Sequence, residues 1–217
     1  MKGVIFDMDG TMVDNMMVHH RAWQRKLASL GFNMTIKEVM NEIHGVNEEI
    51  IERIFGDRFT PEQRRRIAWE KEQEYRDIYV HELQPIPGLM SFLNTLQDES
   101  IPLAIATAAP PENVDLVLDN LNIRDRFESI VHSGNVTNGK PHPEVYRKSA
   151  LNLQVPVQEC LVIEDSVIGA QTALNAGSPA IIITTTHSAE EFNHFPHIIR
   201  FIDDYQDLTT ESIQRLL

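Results

Sequence analysis

Six short apolar runs, each set apart by stretches of helical spacing, constrain this chain more than any other feature. They are Val4-Ile5-Phe6, Leu103-Ala104-Ile105-Ala106, Ser129-Ile130-Val131, Leu161-Val162-Ile163, Ala180-Ile181-Ile182-Ile183 and Ile199-Arg200-Phe201-Ile202. A strand with one wet face alternates apolar and polar residues, and most of these runs do not. Near-continuous apolar strands alternating with helices imply an α/β fold, a parallel sheet covered on both faces.

The rhythm breaks between about residues 15 and 84, where no strand pattern occurs and helical spacing runs throughout. Met16, His20, Trp23, Leu27 and Leu30 recur at four- and three-residue steps, with Gly31 as a stop. Thr35-Ile36-Lys37-Glu38 and Thr60-Pro61-Glu62-Gln63 read as capping-box starts, the second with proline at the first helical position. A long helix then runs past Trp69 and Tyr75 toward His81. Such a stretch is too long for a simple crossover. The expected organisation is a core of residues 1–14 and 85–217 interrupted by a helical cap at 15–84, bounded near Asp14 and Pro85-Ile86-Pro87.

The chemistry gathers where the strands end. The first ends in Asp7-Met8-Asp9-Gly10-Thr11, the second in Thr107 and the fourth in Glu164-Asp165, while Lys140 follows the third. Open parallel sheets bind ligands outside the carboxyl ends of their strands. Asp7, Asp9, Glu164 and Asp165 crowded into one crevice repel one another and need a cation. With no histidine or cysteine at those strand ends, the oxygen-rich set favours Mg²⁺, which shares its coordination with substrate phosphates. One of Asp7 and Asp9 can attack phosphorus while the other handles protons. Lys140 and the Thr107 hydroxyl would hold phosphoryl oxygens, where charge accumulates. An EF-hand loop does not fit, because Met12 stands where it needs glycine and Val18 where it needs glutamate. Asp14 reads equally as a partner of the site or as the N-cap of the insert's first helix.

Charge and composition narrow the partners. The net charge is −13, from 19 Lys plus Arg against 32 Asp plus Glu, so nucleic acid and anionic membranes are disfavoured. No apolar run approaches a membrane span, and Met1-Lys2-Gly3 leads into Asp7 too soon for a signal peptide. The single cysteine, Cys160, excludes an internal disulfide, fits a cytoplasmic setting and reads as an inert core thiol. We expect a cytoplasmic monomer whose partner is a small phosphorylated metabolite.

These motifs carry a resemblance. Asp7-Met8-Asp9-Gly10-Thr11, Thr107, Lys140 in Gly139-Lys140-Pro141-His142-Pro143-Glu144, and Glu164-Asp165-Ser166 match in order the four motifs of the haloacid dehalogenase superfamily. The chain resembles its helical-cap, β-phosphoglucomutase-like branch over essentially its whole length. The resemblance implies a Rossmann-like, doubly wound sheet whose cap closes over the site. It implies a phosphatase or phosphotransferase for small phosphorylated metabolites, sugar phosphates among them, working through an aspartyl-phosphate. By it, Asp7 is the nucleophile and Asp9 the acid/base. Mg²⁺ is held by Asp7, the Asp9 main-chain carbonyl and Asp165 with Glu164 near, and Thr107 and Lys140 bind the phosphoryl group.

The same resemblance offers substrate contacts at His19, Gly45, Lys71 and Ala108. His19-His20-Arg21-Ala22-Trp23 is similar to a mutase motif, and Lys71 to a mutase cap lysine, although one lysine on a Glu-rich helix is more often solvated. Two departures weigh against a mutase. In the loop Ile43-His44-Gly45-Val46-Asn47-Glu48 the mutases carry arginine where this chain has Glu48, and Thr107-Ala108-Ala109-Pro110 lacks their lysine. A phosphatase is therefore expected, with β-phosphoglucomutase as the alternative. A non-catalytic module that kept the metal site is the other class, and no motif position is lost that would favour it.

Overall fold

In chain order the elements are β1 (Gly3–Phe6), α1 (Met16–Ser29), α2 (Ile36–Glu42), α3 (Asn47–Phe55), α4 (Pro61–Tyr79), α5 (Leu89–Asp98) and β2 (Leu103–Ala106). There follow α6 (Pro111–Asn120), β3 (Ser129–Val131), α7 (Glu144–Asn152), β4 (Cys160–Glu164), α8 (Val167–Ala176), β5 (Ala180–Ile183), β6 (Ile198–Ile202) and α9 (Thr210–Gln214). The computed structural model describes residues 1–43 and 45–215. The chain forms two compact units, Met1–Asp14 with Gln84–Leu217, and Asn15–Leu83.

In the first unit the six strands form one parallel sheet in the order β3-β2-β1-β4-β5-β6. Every residue of β1, β2, β4 and β5 is buried, as their unbroken apolar runs require of a sheet covered on both sides. The pleat divides them between two cores. Ile5 packs with Ala104, Ala106 and Val162 and with Tyr146 and Ala150 of α7. On the other face the Phe6 ring meets Phe92 of α5, Phe127 and Tyr205 at centroid distances of 6.1–6.4 Å. Edge strand β6 keeps only Ile202 fully buried, which explains its mixed sequence. Cys160 lies buried in β4, and its thiol is pushed up to about 11 by burial and by the charge of Glu159.

Among the described residues, the elements of the second unit are all helices, joined by short turns. Thr35 and Thr60 cap α2 and α4 through reciprocal capping boxes, and Pro61 opens α4. Its core joins Trp23, Leu27, Val39, Ile50, Ile51 and Ile67. The N-cap of α1 is Asn15, while Asp14 is exposed, so the capping reading of Asp14 is corrected. The buried stripe of α1 runs through Val18, Ala22, Trp23 and Leu27, and Met16 and His20 are only half-buried. This turns the packed face toward Val18 and brings His19 into contact with α4. No described helix is long and apolar enough to cross a membrane.

Candidate active site

β1 is flanked by β2 and β4, and all three run parallel, so their carboxyl ends share one edge. The chain fills the sheet outward on one side through β2 and β3, then on the other through β4, β5 and β6. The switch point lies between β1 and β4, where doubly wound sheets open a crevice. Asp7 ends β1 on one side of that point and Glu164-Asp165 end β4 on the other.

Lys140, four residues before α7, reaches into this gap. Its Nζ lies 2.8 Å from Asp7 Oδ1 and 2.5 Å from Glu164 Oε1, with its side chain 6% exposed. Carboxylate oxygens of Asp7, Glu164 and Asp165 all lie within 4.8 Å of one another. Burial opposes the Lys140 charge, but the carboxylates of Asp7 and Glu164 outweigh it and hold the ammonium firmly protonated. Burial pushes Asp7 well above the usual carboxylate range, and the charges of Glu164 and Asp165 add to this against the pull of Lys140. Burial and then Glu164 raise Asp165 to about 7. Glu164 is lowered instead: burial opposes its charge, but Lys140 and the Ser166 bonds overcome it.

Three buried carboxylates facing one ammonium leave a surplus of negative charge, and a carboxyl raised to about 7 marks where it falls. An all-oxygen set of this kind fits a hard divalent cation such as Mg²⁺. Within the set the three residues differ. Glu164 Oε1 accepts from Lys140 and from the Tyr146 hydroxyl at 2.9 Å, and Oε2 accepts from the Asp165 and Ser166 N–H groups and the Ser166 hydroxyl, each at 2.9 Å. With five donors on two oxygens, Glu164 suits the aligning of Lys140 better than the holding of a metal. Asp165 Oδ1 accepts from Thr11 Oγ1 at 3.2 Å.

Thr107 follows β2 directly, is 2% exposed, and its hydroxyl accepts the Ala109 N–H at 3.1 Å, closing the turn that leaves Ala108 exposed beside it. Asp9 is half-buried in the turn after β1, bridged to Val13. In the helical unit, Lys71 Nζ lies 2.8 Å from His19 Nδ1 and 2.9 Å from Glu72 Oε1, and Asn47 Nδ2 donates to the same Glu72 oxygen at 2.7 Å. The expectation of a solvated Lys71 is therefore corrected. Its side chain is 2% exposed, and Glu72, His19 and the rings of Trp23 and Tyr75 replace water around it. Gly45 is exposed with φ 102°, Glu48 sits in the first turn of α3, and His44 lies outside the described residues.

Residues 1–177 match the family described as "Hydrolase: haloacid dehalogenase-like hydrolase". The chain belongs to this family. Among similar haloacid dehalogenase-like proteins are the β-phosphoglucomutase of Bacillus subtilis (strain 168), 30% identical over 83% of this chain and 82% of that one, and the fructose-1-phosphate phosphatase YqaB of Escherichia coli (strain K12), 29% identical over 82% and 94%. A crystal structure of a HAD hydrolase, family IA, variant 3, from Entamoeba histolytica HM-1:IMSS superposes with a TM-score of 0.91 at 25% identity, covering 100% of this chain and 99% of that one.

Two parts of this hydrolase's site escaped the sequence reading. Tyr146, one turn into α7, donates to Glu164 and lies under Lys140, whose Nζ is 5.0 Å from the ring centroid. Gly169 in α8 leaves room for the Glu164 carboxyl: a Cβ built there would fall 1.8 Å from it. Helical spacing places Tyr146 on the buried face of α7 with Val145, Ser149 and Ala150, which could have flagged it, but nothing local marks the glycine.

Proposed function

We propose that this chain is a Mg²⁺-dependent phosphatase of small phosphorylated metabolites, sugar phosphates foremost, which works by transient phosphorylation of Asp7. The observation that carries the reading is the Asp7–Lys140–Glu164 ion cluster at the switch point of a parallel sheet, with Asp165 beside it. The fructose-1-phosphate phosphatase activity named for the Escherichia coli relative supports the substrate class.

In this reading Asp7 attacks phosphorus in line with the ester oxygen, and the P–O bond to the leaving alcohol breaks. Asp9, as the acid, gives that oxygen its proton. Asp9 then takes a proton from water, whose oxygen attacks the phosphoryl group and releases inorganic phosphate from Asp7. Lys140 favours the ionised form of Asp7 against its burial and faces the charge that builds on the transferred group, with the Thr107 hydroxyl as second donor. Asp7, the Asp9 carbonyl and Asp165 would hold Mg²⁺, which would supply positive charge against the phosphoryl oxygens. Glu164 acts by aligning Lys140. The helical unit serves as the cap that selects the substrate, with His19, Gly45 and Lys71 as its contacts and Ala108 as the contact from the core.

A panel of phosphorylated metabolites assayed for released phosphate with Mg²⁺, with chelator and with Ca²⁺, tests this. Turnover is expected with Mg²⁺ alone, because the larger Ca²⁺ takes more ligands at longer distances and draws Asp7 out of line. Full activity in chelator overturns the metal requirement. Absence of turnover with every ester, together with no phosphorylated Asp7 by mass spectrometry, overturns the enzyme reading.

A further inference from the structure

Beyond β5 the chain reads Thr184-Thr185-Thr186, three hydroxyls at the active edge that the reaction above leaves unused. Thr185 Oγ1 donates to the Gly10 carbonyl. The N–H of the same glycine donates to the Val13 carbonyl at 2.8 Å. Both peptide units flanking Gly10 are thus anchored, the Asp9–Gly10 unit through the Gly10 N–H and the Gly10–Thr11 unit through the Gly10 carbonyl. Tyr205 holds the next peptide, its hydroxyl donating to the Thr11 carbonyl at 2.8 Å.

Thr186 acts on the other side of the turn. Its hydroxyl oxygen and Asp165 Oδ2 crowd the same side of Gly10, and the Asp165 carboxylate accepts from Thr11 Oγ1 at 3.2 Å. Gly10 makes the approach possible. It has φ 74°, and a Cβ there would lie 2.1 Å from Asp165 Oδ2 and 2.8 Å from Thr186 Oγ1. Asp165, Gly10 and Thr186 are therefore packed with no space for a side chain at the centre.

We propose that Thr186 and Thr185 are positioning residues of the metal site, Thr186 backing the Asp165 carboxylate and Thr185 holding, through the Gly10 carbonyl, the turn that carries the Asp9 carbonyl, so that both oxygens face one cation. This rests on the Mg²⁺ reading above. Mg²⁺ demands near-ideal octahedral geometry, so a carboxylate or carbonyl that swings costs affinity, and loss of an outer partner typically lowers metal affinity about 10–100-fold. A hydroxyl that donates to a carboxylate oxygen still leaves lone pairs for a metal.

The test is Mg²⁺ titration calorimetry on the full chain without substrate. Thr186→Val should weaken Mg²⁺ binding at least tenfold. The Mg²⁺ concentration for half-maximal phosphatase rate should rise by the same factor, with kcat at saturating Mg²⁺ little changed. Thr186→Ser should restore both, and Thr185→Val should shift binding in the same direction. A purely structural role predicts instead a lower metal-free unfolding temperature with unchanged Mg²⁺ affinity, and that result overturns the proposal. So does a loss that serine fails to rescue. If the valine variant does not fold, Thr186→Ala, which only removes atoms at an exposed position, gives the same readout. Asp165→Asn separates the two readings. If the wild type binds no Mg²⁺, or if this variant binds as the wild type does, the Mg²⁺ reading itself falls; if both behave as expected and Thr186→Val binds normally, only the present proposal does.

Discussion

At the scale of single residues, the site depends on one over-bonded carboxylate. Glu164 accepts five hydrogen bonds and has no room to turn, because α8 passes its backbone at Gly169 directly against the carboxyl. Gly169→Ala should therefore displace Glu164 and Lys140 with it. We expect a loss of about 1–3 kcal/mol in unfolding free energy from overpacking, and at least a tenfold fall in kcat, measured by denaturant unfolding and steady-state kinetics. Wild-type rates would show that Glu164 does not position Lys140. Asp7→Asn should behave in the opposite way, losing at least ~10³-fold in turnover while the fold survives. The change is isosteric, and burial already disfavours the charged form of Asp7, so a neutral amide costs little there. Activity retained in the purified variant would exclude Asp7 as nucleophile. These residues differ in how they show in sequence. Asp7, Glu164 and Asp165 stand out because a charge ending an apolar run has no packing reason to be there. Gly169 hides in a run of small helical residues, and Thr185 and Thr186 look like more strand, since threonine is at home in one.

At the scale of elements, apolar runs made all six strands legible, the inner four most plainly because burial on both faces leaves no polar register to blur them. The helical insert was legible in its starts, through the capping chemistry of Thr35 and Thr60, but not in its interior. Spacing alone turned α1 toward His20, whereas Val18 and Ala22 pack and His19 is caught by α4. That capture has a measurable consequence. The His19 ring stacks on Tyr75 at 3.9 Å, and burial, reinforced by the Lys71 charge, lowers its pKa from 6.5 to about 3, with Glu72 pulling weakly the other way. Lys71 can only donate, so His19 Nδ1 accepts and the neutral ring carries its proton on Nε2. The sign follows from linkage. The unfolded chain binds this proton near pH 6.5 and the folded one does not, so the stability His19 contributes is present above that pH and lost as pH falls toward 3. Thermal unfolding between pH 7 and 4 should show a steeper acid decline for the wild type than for His19→Gln. Parallel curves would mean that the ring is not buried neutral.

At the scale of the whole molecule, the question is which phosphate chemistry a chain of net charge −13 can sustain. Similar proteins include both a phosphatase and a mutase, so family membership does not decide it. A mutase must release a bisphosphate and rebind it the other way round, which needs a second anion site and slow hydrolysis of the phospho-enzyme. Its cations would have to come from the helical unit, where two of the candidates are already paired. Lys71 is paired with Glu72 and buried, and Arg21 forms a two-point ion pair with Glu82. Glu48 suits the positive end of α3, where it adds negative charge at the position the mutases give to arginine. Long-range attraction does not compensate, because the surface field repels anions and a bisphosphate more than a monophosphate. We therefore expect β-glucose 1-phosphate, supplied with a trace of the bisphosphate, to yield free phosphate faster than glucose 6-phosphate when followed by phosphorus NMR. Replacing Glu48 with arginine and Glu72 with asparagine together should move the ratio toward isomerisation, since one change adds a cation and the other frees one. Glucose 6-phosphate outpacing phosphate in the wild type would show that the neutralised cations are released when substrate binds, and that the phosphatase assignment is wrong.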